Sequence, residues 1–137
     1  MAGVLEGRFG RMTYLTVRVR STGLVVGERV RLANGPWQRF LGLMGTSNLP
    51  PGSGMLFPKT NAVHGFFMHY SVRLAYLDRR GTVLKVAVLR PWRVGPIVRS
   101  ARFVLELPDS PSSEIVHPGD RLTWEITEAS ARDAGGS

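Results

Sequence analysis

The sequence predicts a mainly β domain (β-dominated α+β): a compact antiparallel β-barrel or sandwich-like fold with one short α-helix. Three observations carry this expectation. Short segments alternate apolar and polar residues with the period of a strand. Glycine, proline, serine and aspartate clusters separate these segments at short, regular intervals. Only one stretch carries a helical stripe. A chain of 137 residues, 43% of them hydrophobic, suits one domain with one core and is neither disordered nor membrane-embedded in composition.

Tyr14 to Arg20 is the clearest strand, with Leu15, Val17 and Val19 on one face and Thr16, Arg18 and Arg20 on the other. Glu28 to Leu32 repeats the pattern, Val30 and Leu32 inward and Arg29 and Arg31 outward, after a Ser-Thr-Gly turn. Asn34-Gly35-Pro36 reads as a helix start. Trp37, Phe40, Leu41 and Met44 then form an i, i+3, i+4, i+7 stripe, which predicts a helix over Pro36 to Met44. Thr46 to Gly54 is loop by composition. Met55 to Phe57, Val63 to Tyr70, Val72 to Asp78, Thr82 to Arg90, Arg102 to Leu107 and Arg121 to Thr127 read as strands. Asp78-Arg79-Arg80-Gly81 is a tight turn that pairs two of them as a hairpin. The ordered domain is therefore expected over 14–127, with a flexible extension over 1–13 and a small, polar, disordered tail over 128–137.

No cysteine is present, which excludes disulfides, thiolate catalysis and cysteine-ligated zinc. The first residues lack the apolar stretch of a secretory signal, and no run approaches the roughly 20 apolar residues of a spanning helix. A cytoplasmic bacterial protein is the expectation. The formal charge is +8, and of 18 basic residues only Lys59 and Lys85 are lysines. An arginine-rich composition suits phosphate or carboxylate partners, although a GC-rich genome also produces it.

Searches for a phosphate loop, a dinucleotide fingerprint, a His-Glu-x-x-His helix and a nucleophile elbow find nothing. The densest polar-aromatic cluster is His64-Gly65-Phe66-Phe67-Met68-His69-Tyr70. On a strand His64 and His69 face opposite ways and cannot share a metal. His64, Met68 and Met44 or Met55 are of the types that hold Cu(I), but methionines on apolar stripes ordinarily fill gaps in a core. No metal and no cofactor are expected. His64, Asp78 and Glu106 are ionisable groups in otherwise apolar strands, where each needs a partner or a function. His64 as a general base with Asp78 or Glu106 is one catalytic reading, and Arg39 pairing with a carboxylate is its structural counterpart. Arg18, Arg20, Arg29 and Arg31 form one basic face if the first two strands pair, a surface for phosphate backbones or an ordinary solvated one.

Five blocks occur in order: Arg39 to Met44, Gly54 to Phe57, His64 to Met68, Tyr76-Leu77-Asp78, and Phe103 to Pro108. In this the chain resembles the family known as domain of unknown function 192, over roughly Tyr14 to Ile126. The resemblance implies a compact, mostly β fold and no established reaction. Its motif positions here are Arg39, Gly42, Met44, Gly54, Met55, Phe57, His64, Phe67, Met68, Asp78 and Glu106. Two departures stand out. The family's usual aspartate is Arg73 here, and Asp109-Ser110 replaces its usual Ala-Gly. The family's common lysine or arginine after the methionine is His69.

Three functional readings follow. The first is a small-molecule or partner-binding β domain, monomeric or a small homo-oligomer, with Arg39, Met44, Met55, Phe57, His64, Phe67 and Met68 as ligand-binding candidates. The second is an enzyme of hydrolase type using His64 with Asp78 or Glu106. The third is a nucleic-acid-associated protein using Arg18, Arg20, Arg29 and Arg31.

Overall fold

The computed structural model describes residues 13–33, 50–63 and 70–127. The elements are β1 (Tyr14–Val19), β2 (Val25–Leu32), β3 (Ser53–Pro58), β4 (Val72–Leu77), β5 (Val83–Leu89), β6 (Phe103–Pro108), a 3-10 helix (Pro111–Ile115) and β7 (Leu122–Ile126). The seven strands make one sheet in the order β5-β4-β6-β3-β2-β1-β7. Its two edges meet: Thr82 bridges Arg121, the Val83 amide donates to the Asp120 carbonyl at 2.7 Å, and the Leu122 amide donates to the Gly81 carbonyl at 2.9 Å. The sheet is thus a barrel closed at one end. This is the mainly β architecture that the alternation predicts.

All seven strands contribute to one interior cluster, with Val17, Val30, Leu56, Ala75, Leu77, Leu105 and Leu122 among its members. β1 buries alternate residues, Leu15, Val17 and Val19, as a strand with one wet face should. β3, β4 and β6 instead carry unbroken buried runs, because their outer faces are covered too. Val72, Leu74, Tyr76 and Val104 point outward into a second cluster with Val63, Leu89 and Ala101. Ala33, Met55 and Phe57 form a third.

Tyr76 ties this outer layer down. Its ring is fully buried and its hydroxyl donates to the Pro96 carbonyl at 2.7 Å, while burial pushes its pKa up to about 12. Tyr76→Phe removes that bond and leaves the carbonyl short of a donor. A loss of about 1 kcal/mol in urea denaturation is expected. An unchanged midpoint would show that the 2.7 Å contact contributes nothing.

The structure differs from the sequence-based expectation in several places. The sheet is not wholly antiparallel, since β2 and β3 run parallel with Val30 opposite Gly54 and Leu32 opposite Leu56. The stretch between them is long enough to carry the chain back to the same end, which a parallel pair requires. β2 starts at Val25 rather than Glu28, since its pairing with β1 continues past two irregularities in the register to Arg18 opposite Val25. The 3-10 helix has no signal in the apolar pattern. It is set by Ser110, whose carbonyl accepts from the Ser113 amide at 3.0 Å and from Ser113 Oγ at 2.8 Å. The expected helix over Pro36 to Met44 lies outside the described residues. So does the expected strand over Val63 to Tyr70 apart from its two ends, neither of which is in a strand.

Candidate functional site

Glu106 sits at the centre of β6, opposite Met55 of β3 on one side and Leu74 of β4 on the other. Its chain neighbours Leu105 and Leu107 belong to the interior cluster, so the carboxylate points to the outer face. Arg31, Met55, Glu106 and Leu74 form one row across four adjacent strands. Phe57, opposite Val104, lies on the same face one step along. Glu106 is 2% exposed, and its Oε2 has no hydrogen-bond partner among the described residues. Burial among apolar side chains pushes its pKa up to about 7 from an ordinary 4.5. The group therefore changes charge near neutral pH, and no described residue donates a hydrogen bond to its Oε2.

The other candidates have different fates. Asp78 is at the hairpin turn, where its Oδ1 accepts the amides of Arg80 at 2.8 Å and Thr82 at 2.9 Å. It follows the end of β4, four residues on from Leu74, the residue opposite Glu106, so roughly 13 Å separates the two backbone positions along the strand direction. The structure does not bring them together. Met55 and Phe57 are both buried beside Glu106. Arg39, Met44, His64, Phe67 and Met68 lie outside the described residues.

β1 and β2 do pair, which sets Arg18, Arg29 and Arg31 on the outer face. Arg20 follows the end of β1 and is exposed. The face is less uniformly basic than its sequence suggests. The Arg29 guanidinium stacks on the Tyr14 ring, 4.3 Å from its centroid, and Glu125 of β7 shares the face opposite Thr16.

The two departures noted above meet in space. Arg73 Nη2 lies 3.2 Å from Asp109 Oδ1 and 4.0 Å from Glu114 Oε2. The reversed charge at position 73 is thus balanced by the changed residue at position 109, a pairing that sequence separation hid. Also missed was a gathering of Arg79, Arg80 and Arg102 at the hairpin end. Among the described residues no group of three histidine, aspartate or glutamate side chains is placed to hold a metal. None of their helices is long and apolar enough to cross a membrane.

The family model of domain of unknown function 192, described as "Uncharacterized ACR", matches residues 16–124. The chain belongs to this family. A UPF0127 protein of Thermococcus sibiricus is 32% identical over 117 residues, covering 80% of this chain and 74% of its own. A UPF0127 protein of Pyrococcus furiosus is 34% identical over 109 residues, covering 74% of this chain and 91% of its own. A crystal structure from Sinorhizobium meliloti, provisionally labelled a transcription regulator, superposes with a TM-score of 0.65 at 25% identity. It covers 82% of this chain and 93% of that one. The family is uncharacterised, with no function assigned. These sequence relatives are archaeal, so the expectation of a bacterial protein is not supported.

Proposed function

We propose that this member of the family is a cytoplasmic small-molecule-binding domain, and that its ligand docks on the outer face of β3 and β6 against Glu106. The observation behind this is the buried Oε2 with no donor among the described residues. A buried polar oxygen without a donor is rare in folded proteins, and filling by a ligand is one of its few explanations. The ligand chemistry follows from the surroundings. A protonated or N–H-bearing nitrogen would meet the carboxylate, and an apolar group would lie on Met55 and Phe57. The motif residues Arg39, Met44, His64, Phe67 and Met68 are proposed for the same site, on the strength of the family resemblance alone. Absence of cysteine supports the cytoplasmic location.

A nucleic-acid role through Arg18, Arg20, Arg29 and Arg31 has less support, because Arg29 is stacked on Tyr14 and Glu125 lies on the same face.

The test is a thermal-shift screen of aliphatic and aromatic amines on the wild-type chain and on Glu106→Gln, since a ligand that binds only the folded state raises the melting temperature. An amine that shifts the wild type and not the variant is expected, with a larger shift at pH 8 than at pH 5, where Glu106 carries its proton. Equal shifts in both proteins would remove Glu106 from the site, and the absence of any shift would remove amines as its ligands.

A further inference from the structure

A second site, independent of Glu106, lies at the β4–β5 turn. Asp78, Arg79, Arg80, Ser100 and Arg102 line an open concavity of about 350 Å3, within the range of roughly 300–1,000 Å3 typical of small-ligand sites. Its backbone frame is held firmly. The Asp78 amide donates to the Thr82 carbonyl and the Gly81 amide to the Asp78 carbonyl, both at 2.9 Å. Asp78 Oδ1 accepts the two amides already described, and Arg121 Nε donates to the Arg80 carbonyl at 3.0 Å. Across the hollow, the Arg102 amide donates to the Leu77 carbonyl at 2.7 Å, which fixes the residue before β6 beside the end of β4.

The three guanidinium groups that line the hollow are free of ion pairs among the described residues. Elsewhere Arg73 is paired with carboxylates and Arg29 is stacked on an aromatic ring. Among the described residues none of Arg79, Arg80 and Arg102 makes an ion pair, and Arg102 Nη1 donates only to its neighbouring Ala101 carbonyl at 3.3 Å. Ser100 adds a hydroxyl donor. Three guanidinium charges against the one Asp78 carboxylate leave two positive charges facing the hollow. That balance suits a phosphate monoester, which carries about −1.5 to −2 at neutral pH and whose oxygens match the arginine fork.

We infer that the concavity formed by Arg79, Arg80, Ser100 and Arg102 binds the terminal phosphate of a phosphorylated ligand. The phosphate belongs either to a small metabolite or to a nucleic-acid end, and the experiment separates the two. Inorganic phosphate is titrated into the full chain at low salt, followed by calorimetry and by amide NMR shifts at Arg79, Arg80 and Gly81. Saturable single-site binding with shifts at those amides is expected. The double variant Arg79→Gln/Arg102→Gln should weaken it about tenfold or more. Arg18→Gln/Arg20→Gln, with the same loss of net charge, should change it by less than about twofold. Arg18, Arg20, Arg79 and Arg102 are all exposed and the one bond lost, Arg102 Nη1 to the Ala101 carbonyl, is long at 3.3 Å, so the melting temperature should change little in either. Equal weakening by the two double variants would reduce the effect to overall charge and overturn the site, as would absence of saturable binding. A mononucleotide and a 5′-phosphorylated oligonucleotide are then used as competitors. Displacement by the mononucleotide supports a metabolite phosphate. Displacement by the oligonucleotide alone supports a nucleic-acid end. Displacement by neither overturns the phosphate-monoester assignment.

Discussion

Replacing Glu106 by leucine is expected to stabilise the domain by about 3 kcal/mol above pH 7 and to leave it nearly unchanged at pH 4. The folded-state pKa of about 7 stands above the ordinary 4.5 because the carboxyl is buried. Between those two values the unfolded chain releases a proton that the folded chain retains. Stability therefore falls as pH rises through this window and is flat above it. Leucine has a similar volume and no charge to desolvate, so it removes the penalty without opening a cavity among Met55, Leu74 and Phe57. Glutamine should recover less, since its amide stays buried and needs partners of its own. Urea denaturation of wild type and Glu106→Leu at pH 4 and pH 8 measures the difference. Parallel pH profiles would show that Glu106 has a partner that lowers its pKa. A gain in stability on losing this group is what a residue kept for binding would show.

Gly54→Ala should be the most damaging single methyl addition within a described strand, at about 3 kcal/mol or more. A Cβ at position 54 would lie 2.5 Å from the Glu106 carbonyl oxygen and 3.2 Å from Leu107 Cδ2. The first of these is backbone and cannot rotate away. The β3–β6 ladder would have to open, and Met55 would move off Glu106 with it. Gly52→Ala is the matched comparison. Its φ of +84° disfavours a side chain, but no atom lies within 4 Å of the added Cβ, so a loss near 1 kcal/mol is expected. Thermal denaturation of the two variants decides the matter. If Gly54→Ala unfolds no earlier than Gly52→Ala, the close approach of the two strands is not what requires glycine there. Amine binding should also weaken in Gly54→Ala, because the same shift distorts the proposed site.

Much of this was legible in the sequence, and the reason is local. Alternation over Tyr14 to Val19 states which residues enter the core, because side chains on a strand switch faces at every step. The Asp78 to Gly81 turn pairs β4 with β5 through neighbouring residues alone. Glu106 could be singled out as an ionisable group in the apolar run Phe103 to Leu107, whose burial on both faces leaves it no solvent. Five sequence blocks were enough to place the chain in its family, which the match over residues 16–124 establishes.

Partnership between distant segments was another matter. A strand's pattern states its faces and not its neighbour, so the parallel β2–β3 pair and the β5–β7 closure had no local signal. The same holds for charge. Arg73 looked like an unexplained reversal until the fold set Asp109 and Glu114 beside it. Arg79 and Arg80 looked like ordinary turn residues until the Arg102–Leu77 hydrogen bond brought a third guanidinium to the same hollow. The sequence by itself determined a mainly β fold, the inward face of β1 and an ionisable group, Glu106, in an apolar strand. The tertiary structure alone decided which strands close the barrel and which charges share a site, because both depend on non-local pairing across the sheet.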